Sequence, residues 1–155
     1  MNYFYHYTTG EKLPLILEAG YLKPSAAGGS PGEQPLLWLS RARDYEPTAL
    51  KLLQLPGGRA RLLSQVEQRE VVGNVRFRLK ADTVDLLPWR DACRAAGICR
   101  RERQHMERAG KAEGAKHTNW FAVAKTMPVT MFDIEVETVH GWEAMDEVIE
   151  LEGAV

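Results

Sequence analysis

Residues 71–79 predict a strand in which apolar and basic side chains alternate from Val75 onward, and this alternation is the strongest constraint on the fold. The two sets would lie on opposite sides of a strand, with Val75, Phe77 and Leu79 on one side and Arg76, Arg78 and Lys80 on the other. Such a strand requires a sheet with one face packed on a core and the other in contact with polar groups. The chain must therefore bury one side of at least one sheet.

Other segments predict further strands, with helices between them. Aromatic and β-branched composition predicts strands over residues 3–8, 36–40, 120–125 and 132–139. Apolar spacing and flanking glycine or proline predict helices over residues 11–19, 45–55, 88–96 and 99–109, whereas residues 142–152 fit either state. Strands at both ends with helices interspersed predict an α+β class, a single domain over residues 1–155 with small mixed or antiparallel sheets and flanking helices.

Length and composition indicate one ordinary folded domain. The chain has 155 residues, of which 45% are hydrophobic and 26% are charged, as in average globular proteins. No apolar run approaches the roughly 20 residues that cross a bilayer, so we expect no membrane partner. The first six residues lack the basic and apolar stretches of a secretory signal, and we expect a cytoplasmic protein.

Possible metal ligands occur within one stretch, but their spacing does not favour a site. Cys93, Cys99, His105 and His117 are all potential ligands. Structural zinc sites usually open with two ligands separated by two to four residues, whereas five residues separate the two cysteines. We therefore expect free thiols and no bound metal.

The charge distribution is uneven although the formal net charge is only −1. Residues 90–116 hold eight basic and four acidic residues, whereas residues 133–152 hold eight acidic and no basic ones. Pairing of the arginines with Glu102 and Glu107 along a helix is the simpler explanation for the basic segment. A cationic surface is also suited to phosphates, so a protein or nucleic-acid partner is the alternative.

The N-terminal segments carry a resemblance to a known group of proteins. They are Tyr5-His6-Tyr7-Thr8, an apolar helix, the turn Glu18-Ala19-Gly20-Tyr21-Leu22-Lys23-Pro24-Ser25, and Leu37-Trp38-Leu39-Ser40. In these segments the chain resembles the N-terminal half of the ADP-ribosyltransferase-like superfamily, which includes proteins similar to RNA 2′-phosphotransferases. In that superfamily a first strand carries a His followed closely by Thr or Gly, and a later strand ends in Ser.

The resemblance implies an NAD-binding or related nucleotide-binding site and an activity that transfers ADP-ribose or cleaves NAD. His6 would bond a ribose hydroxyl and backbone groups of Tyr7 would hold the nicotinamide amide, while Thr8 and Ser40 would line the same cleft. The implied ring-stacking residue is Trp38 or Tyr45, because stacking requires a flat apolar face.

Such an enzyme needs a carboxylate beside the ribose, where positive charge develops as the glycosidic bond breaks. Glu135 and Glu137 are the first candidates because they lie at alternate positions of one predicted strand, and Glu46 and Glu113 are the alternatives. The same residues also fit simpler roles. His6 fits a strand histidine bonded to a backbone group, and the aromatic residues fit core packing. The chain would then be a non-catalytic interaction protein that uses its basic helix.

Overall fold

A computed structural model describes residues 3–26, 31–80 and 85–146 of the chain. Within these ranges the helices are α1 (Leu13–Ala19), α2 (Gln65–Val71), α3 (Trp89–Ala96) and α4 (Arg100–Ala112). The strands are β1 (Tyr5–Thr9), β2 (Tyr21–Leu22), β3 (Leu37–Ser40), β4 (Leu52–Gln54), β5 (Ala60–Leu62), β6 (Asn74–Leu79), β7 (Leu87–Pro88), β8 (Trp120–Val123), β9 (Met127–Pro128), β10 (Phe132–Thr138) and β11 (Gly141–Ala144).

Seven strands form one antiparallel sheet in the order β11-β10-β6-β1-β3-β8-β7. β1 lies in the middle, between β6 and β3. Two smaller antiparallel pairs, β2 with β9 and β4 with β5, lie outside this sheet. The mixed α+β class that the sequence predicts is confirmed.

Two hydrophobic clusters cover the opposite faces of the sheet. On one face, Phe77 and Leu37 belong to a buried cluster against which Ile16 of α1 packs. On the other face, Trp120 of β8 and Cys93 of α3 belong to a second cluster. Alternation of side chains along each strand assigns the residues to these two faces. The sheet is therefore buried on both sides over its central part, and polar groups on it require partners.

The strand predicted over residues 71–79 is confirmed, but it begins later, at Asn74. Helix α2 extends through Val71, and its N-terminus has a capping box in which Ser64 and Glu67 exchange hydrogen bonds between side chain and backbone. The buried apolar face is as predicted. The opposite face is not solvated throughout, because Arg76 has only 6% of its surface exposed.

The helix predicted over residues 45–55 is wrong. A short 3-10 turn, Pro47–Ala49, is followed by the hairpin of β4 and β5. The two strands are joined by Pro56–Gly58, in which Gly57 and Gly58 have φ values of 83° and 77°. Only glycine adopts this backbone conformation readily, so the sequence that we interpreted as a helix stop is the turn of a hairpin.

Helix α4 does not end before Gly110 as predicted, but continues to Ala112. Gly110 is buried, and a Cβ atom built on it would lie 2.6 Å from Cη2 and 2.7 Å from Cζ2 of Trp120. The glycine therefore allows α4 to lie directly on the Trp120 ring. No helix in the described ranges combines the length and the apolar character needed to cross a bilayer.

Replacement of Gly110 by alanine tests this close packing. Glycine to alanine in a helix interior normally stabilises a protein by about 1 kcal/mol. Here the added methyl group would overlap the Trp120 ring, and overpacking costs about 1–3 kcal/mol. We expect a lower free energy of unfolding in urea for Gly110→Ala, and a smaller loss when the same replacement is made in a Trp120→Phe background, which lacks the two contacting ring atoms. Stabilisation by Gly110→Ala alone would contradict the packing.

Candidate functional site

Within the described ranges, strands β1 and β3 are paired at only one position, where Tyr5 lies opposite Ser40. Phe4 accepts a hydrogen bond from Leu79, so alternate residues Phe4, His6 and Thr8 direct their backbone groups toward β6. The N–H and C=O groups of Tyr7 therefore point toward β3, but the register gives Tyr7 no partner on that strand. A gap opens between the two strands beside Tyr7.

A cavity of about 430 Å³ lies at this gap. Its walls come from β1, β3, β8, the 3-10 turn Pro47–Ala49, α3 and α4. The lining residues are Tyr5, His6, Tyr7, Trp38, Leu39, Ser40, Glu46, Thr48, Ala49, Trp89, Met106, Ala109, Gly110, Glu113 and Trp120. Of the eight residues that the sequence predicts for the site, His6, Tyr7, Trp38 and Ser40 lie here.

Five aromatic side chains make the walls of the cavity mostly flat and apolar. Trp89 packs against two of the others, with ring centroids 5.6 Å from Trp38 and 4.9 Å from Trp120. The Nε1 donor of Trp38 is buried and has no hydrogen-bond partner among the described residues. Trp89 and Trp120 were not predicted as site residues, because both come from segments remote from the N-terminal run.

The carboxylate in the cavity wall is that of Glu46, which is 6% exposed. Its Oε2 accepts a hydrogen bond from Ser40 Oγ at 2.7 Å. Its Oε1 accepts hydrogen bonds from Trp120 Nε1 at 3.0 Å and from Thr48 Oγ1 at 2.7 Å. All these donors are neutral, and they replace the water that burial removes without cancelling the negative charge.

The charged side chains that line the cavity are acidic. Glu113, which caps the C-terminus of α4, also lines it, and the described residues of its wall include neither lysine nor arginine. Within the described part of the chain, Glu46 makes no ion pair. Glu46 and Glu113 are the two carboxylates that the sequence left as alternatives. The cavity thus combines aromatic surfaces with two carboxylates and no cationic side chain among its described lining residues, which favours a flat cationic ligand.

His6 lies in the gap between β1 and β3. Its Nδ1 is 2.9 Å from the carbonyl oxygen of Trp38. A carbonyl oxygen only accepts, so Nδ1 carries the proton and Nε2 is left as an acceptor. Loss of hydration on burial lowers the pKa of His6 below its ordinary value of 6.5. The neutral imidazole therefore has one nitrogen engaged with the backbone and one without a hydrogen-bond partner among the described residues. Its ring shares the sheet face of Phe77, its partner on β6.

Two other predicted residues, Thr8 and Tyr45, do not line the cavity. Thr8 is buried and shares the sheet face of Val75, its partner on β6. The Tyr45 hydroxyl accepts a hydrogen bond from the buried Gln68 at 2.8 Å, and its ring stacks on Trp142. Burial raises the pKa of Tyr45 to about 12. Of the two predicted stacking residues, only Trp38 is in place to contact a ligand in the cavity.

The predicted carboxylates Glu135 and Glu137 also lie outside the cavity lining. Glu135 forms an ion pair with Arg76 at 2.9 Å. Glu137 accepts hydrogen bonds from Asn74 and from Gln65, each at 2.7 Å. The two glutamates do share one face of β10, as the alternation predicts, but that face is occupied by their partners on β6 and α2.

Arg76 has a structural environment that explains its burial. Its guanidinium lies between two rings, 4.2 Å from the centroid of Tyr5 and 4.4 Å from that of Trp142, and it donates to the carbonyl of Arg43. Contacts of this kind between arginine and aromatic faces stabilise the cation. Glu135 of the acidic segment therefore pairs with the arginine side of β6.

The potential metal ligands do not come together. No group of three or more His, Cys, Asp or Glu residues within the described ranges is arranged to hold a metal ion. Cys93 is buried in α3, where burial raises the pKa of its thiol to about 12. Cys99 is exposed at the start of α4.

Comparisons with protein-family models, curated proteins and solved structures give no match to this chain. The chemistry of the cavity is therefore the basis on which a function can be assigned.

The protonation of His6 provides a direct test of its environment. Because its pKa is lowered in the folded state, the associated stability is fully present above pH 6.5 and is lost as the pH falls toward the folded-state pKa. We expect the ring resonances of His6 to titrate below pH 6.5 by nuclear magnetic resonance. The stability difference between wild type and His6→Gln should shrink as the pH falls. A His6 midpoint above 6.5 would contradict the desolvated site.

Proposed function

We propose that the cavity binds the nicotinamide end of NAD⁺ and that the protein is an ADP-ribosyltransferase-like enzyme. The observation that carries the proposal is that His6, Trp38 and a buried carboxylate, Glu46, all line one cavity. The resemblance of the N-terminal segments points to the same ligand. The carboxylate that we assign is Glu46, with Glu113 as the second acidic residue of the wall.

The oxidised nicotinamide ring is flat, aromatic and positively charged. Trp38, Trp89 and Trp120 offer faces and edges on which such a ring packs. An indole face also attracts a cation, with a free energy of about 0.5–2 kcal/mol depending on desolvation. The negative charge of Glu46 acts in the same direction, since no cation pairs with it in the described ranges.

Backbone and imidazole groups would recognise the polar parts of the ligand. Tyr7 directs one N–H donor and one C=O acceptor into the gap. A primary carboxamide, as on nicotinamide, carries the complementary acceptor and donor. The Nε2 acceptor of His6 is suited to a hydroxyl group of the neighbouring ribose. These contacts would orient the ring and leave the ribose near the carboxylate.

Cleavage would proceed by departure of nicotinamide from the ribose. The bond between ribose C1′ and the ring nitrogen breaks, and its electron pair neutralises the positive charge of the ring. Positive charge develops on the ribose until water or an acceptor nucleophile bonds to C1′ and loses a proton. A fixed carboxylate such as Glu46 stabilises that charge without reorganisation, which is the usual electrostatic contribution to such reactions.

Calorimetric titration with NAD⁺ tests the binding step. We expect saturable binding by the wild type. Removal of one hydrogen bond to the ligand should weaken binding about five- to tenfold in His6→Gln. Loss of the indole face should weaken it at least as much in Trp38→Leu. NADH, whose dihydronicotinamide ring is neutral, should bind more weakly than NAD⁺ because it lacks the attraction to Glu46.

His105→Gln is the matched control, since it makes the same exchange at an exposed position of α4 outside the cavity. All variants are first compared by circular dichroism to establish that they fold. Absence of NAD⁺ binding by the wild type, or equal weakening in His6→Gln and His105→Gln, would refute the proposed site.

A second experiment separates catalysis from binding. Glu46→Gln keeps the size of the side chain and most of its hydrogen bonds but removes its charge. We expect release of nicotinamide from saturating NAD⁺ to slow by a factor on the order of 100, as for loss of other preorganised electrostatic groups, while NAD⁺ binding weakens only toward that of NADH, because the attraction of the charge to the ring is lost. Glu18→Gln, at an exposed position of α1, is the control. Binding without release of nicotinamide by the wild type would reduce the function to ligand binding.

A further inference from the structure

Helix α4 separates its charges by face. With about 100° of rotation per residue, Arg100, Arg101, Arg108 and Lys111 fall on one side of the helix, together with Gln104 and His105. All four cationic side chains are exposed. This side, which we call the basic face, contains no acidic residue of the helix. The face toward the cavity carries Met106, Ala109 and Gly110, and Glu113 follows just past the end of the helix.

The pairing along the helix that would neutralise these arginines is largely missing. Within the described ranges α4 has one ion pair, Arg103 to Glu107 at 2.7 Å, and it lies at the junction with Trp89 of α3. The cations of the basic face have neither an ion pair nor a side-chain hydrogen bond to any described residue. Four positive charges are therefore exposed on one surface with no carboxylate partner in the described part of the chain.

The basic face continues past the end of the helix into a groove. Arg108 and Lys111 line this groove together with Lys116, His117 and Thr118, and its volume is about 440 Å³. Glu107 also lines it, but its carboxylate is engaged by Arg103 and Trp89. The groove and the cavity lie on opposite flanks of α4, because their lining residues occupy different sides of the helix. A ligand of the groove is therefore distinct from the ring-binding part of a ligand in the cavity.

We propose that the basic face and the groove bind the phosphodiester backbone of a nucleic acid. From Arg100 to Lys111 the helix rises about 16 Å, which matches a row of several successive phosphates rather than one phosphate group. Arginine forms two parallel hydrogen bonds to a phosphate. A membrane surface does not fit, because α4 bears none of the large exposed hydrophobic side chains found among the described residues.

This inference does not depend on the proposed function, because the basic face and the cavity share no cationic residue in the described ranges. The inferred partner would place its phosphates on the basic face of α4, away from the cavity. If the cavity holds NAD⁺ as well, the nucleic acid would be the acceptor or would bring the acceptor close.

Fluorescence anisotropy with a labelled 20-nucleotide single strand tests the inference. The test variant combines Arg100→Gln, Arg101→Gln, Arg108→Gln and Lys111→Gln, and glutamine preserves helix propensity. We expect wild-type binding at about 50 mM salt that weakens as salt is added. In the variant the affinity should fall at least about tenfold, and the dependence of log affinity on log salt should flatten by roughly 0.7 for each phosphate that is no longer neutralised.

The matched control is a second variant that removes the same number of charges from exposed positions elsewhere, namely Lys12→Gln, Lys23→Gln, Arg59→Gln and Lys125→Gln. It should bind the strand nearly as wild type does. Three outcomes would overturn the inference: no binding by the wild type, equal weakening in the two variants, or displacement of the strand by pyrophosphate or polyglutamate at equal charge. Calorimetry measures NAD⁺ binding to the α4 variant and so tests the cavity separately. Loss of nucleic-acid binding is therefore distinguishable from loss of NAD⁺ binding.

Discussion

The buried carboxylate of Glu46 is the constraint on which the architecture of the cavity depends. An ionised group in this position costs several kcal/mol unless hydrogen bonds replace its hydration. Ser40, Thr48 and Trp120 supply them from β3, the 3-10 turn and β8. These three elements must therefore meet at one point, and in doing so they bring the Trp120 ring into the wall. Because the donors are neutral, the same hydrogen bonds do not offset the charge of the carboxylate.

The fold was predictable where one periodicity dominates a segment. The alternation around Phe77 is decisive because a strand shifted by one residue would place its arginines in the core. Residues 45–55 were not predictable in this way, since the spacing of Ala49, Leu52 and Leu53 fits a helix, while Gly57 and Gly58 favour a hairpin turn. The strand conformation is decided by the pairing of Leu52–Gln54 with β5, which lies outside residues 45–55.

The candidate site was predictable where its residues belong to two strands near the N-terminus, as His6, Trp38 and Ser40 do. The carboxylate was not, because strand periodicity gives the face of a residue and not its partners. Glu135 and Glu137 do share a face, but β6 presents Arg76 and Asn74 to that face. Glu46 lies six residues after Ser40 in irregular structure, where no periodic pattern marks it.

The two faces of α4 separate a site that favours a cation from a surface that favours phosphates. A cationic ring in the cavity is stabilised by nearby carboxylates and repelled by nearby arginines. A helix with its side chains is about 10–12 Å thick, and at that distance two unit charges interact by about 1.5 kcal/mol at the effective dielectric constant of about 20 that applies near a protein surface, before screening by salt over about 8–10 Å. Arg108 and Lys111 on the outer side therefore repel a cation in the cavity less strongly than Glu46, which lies in its wall, attracts it. One helix thus permits phosphates to bind on one side and a positive ring on the other.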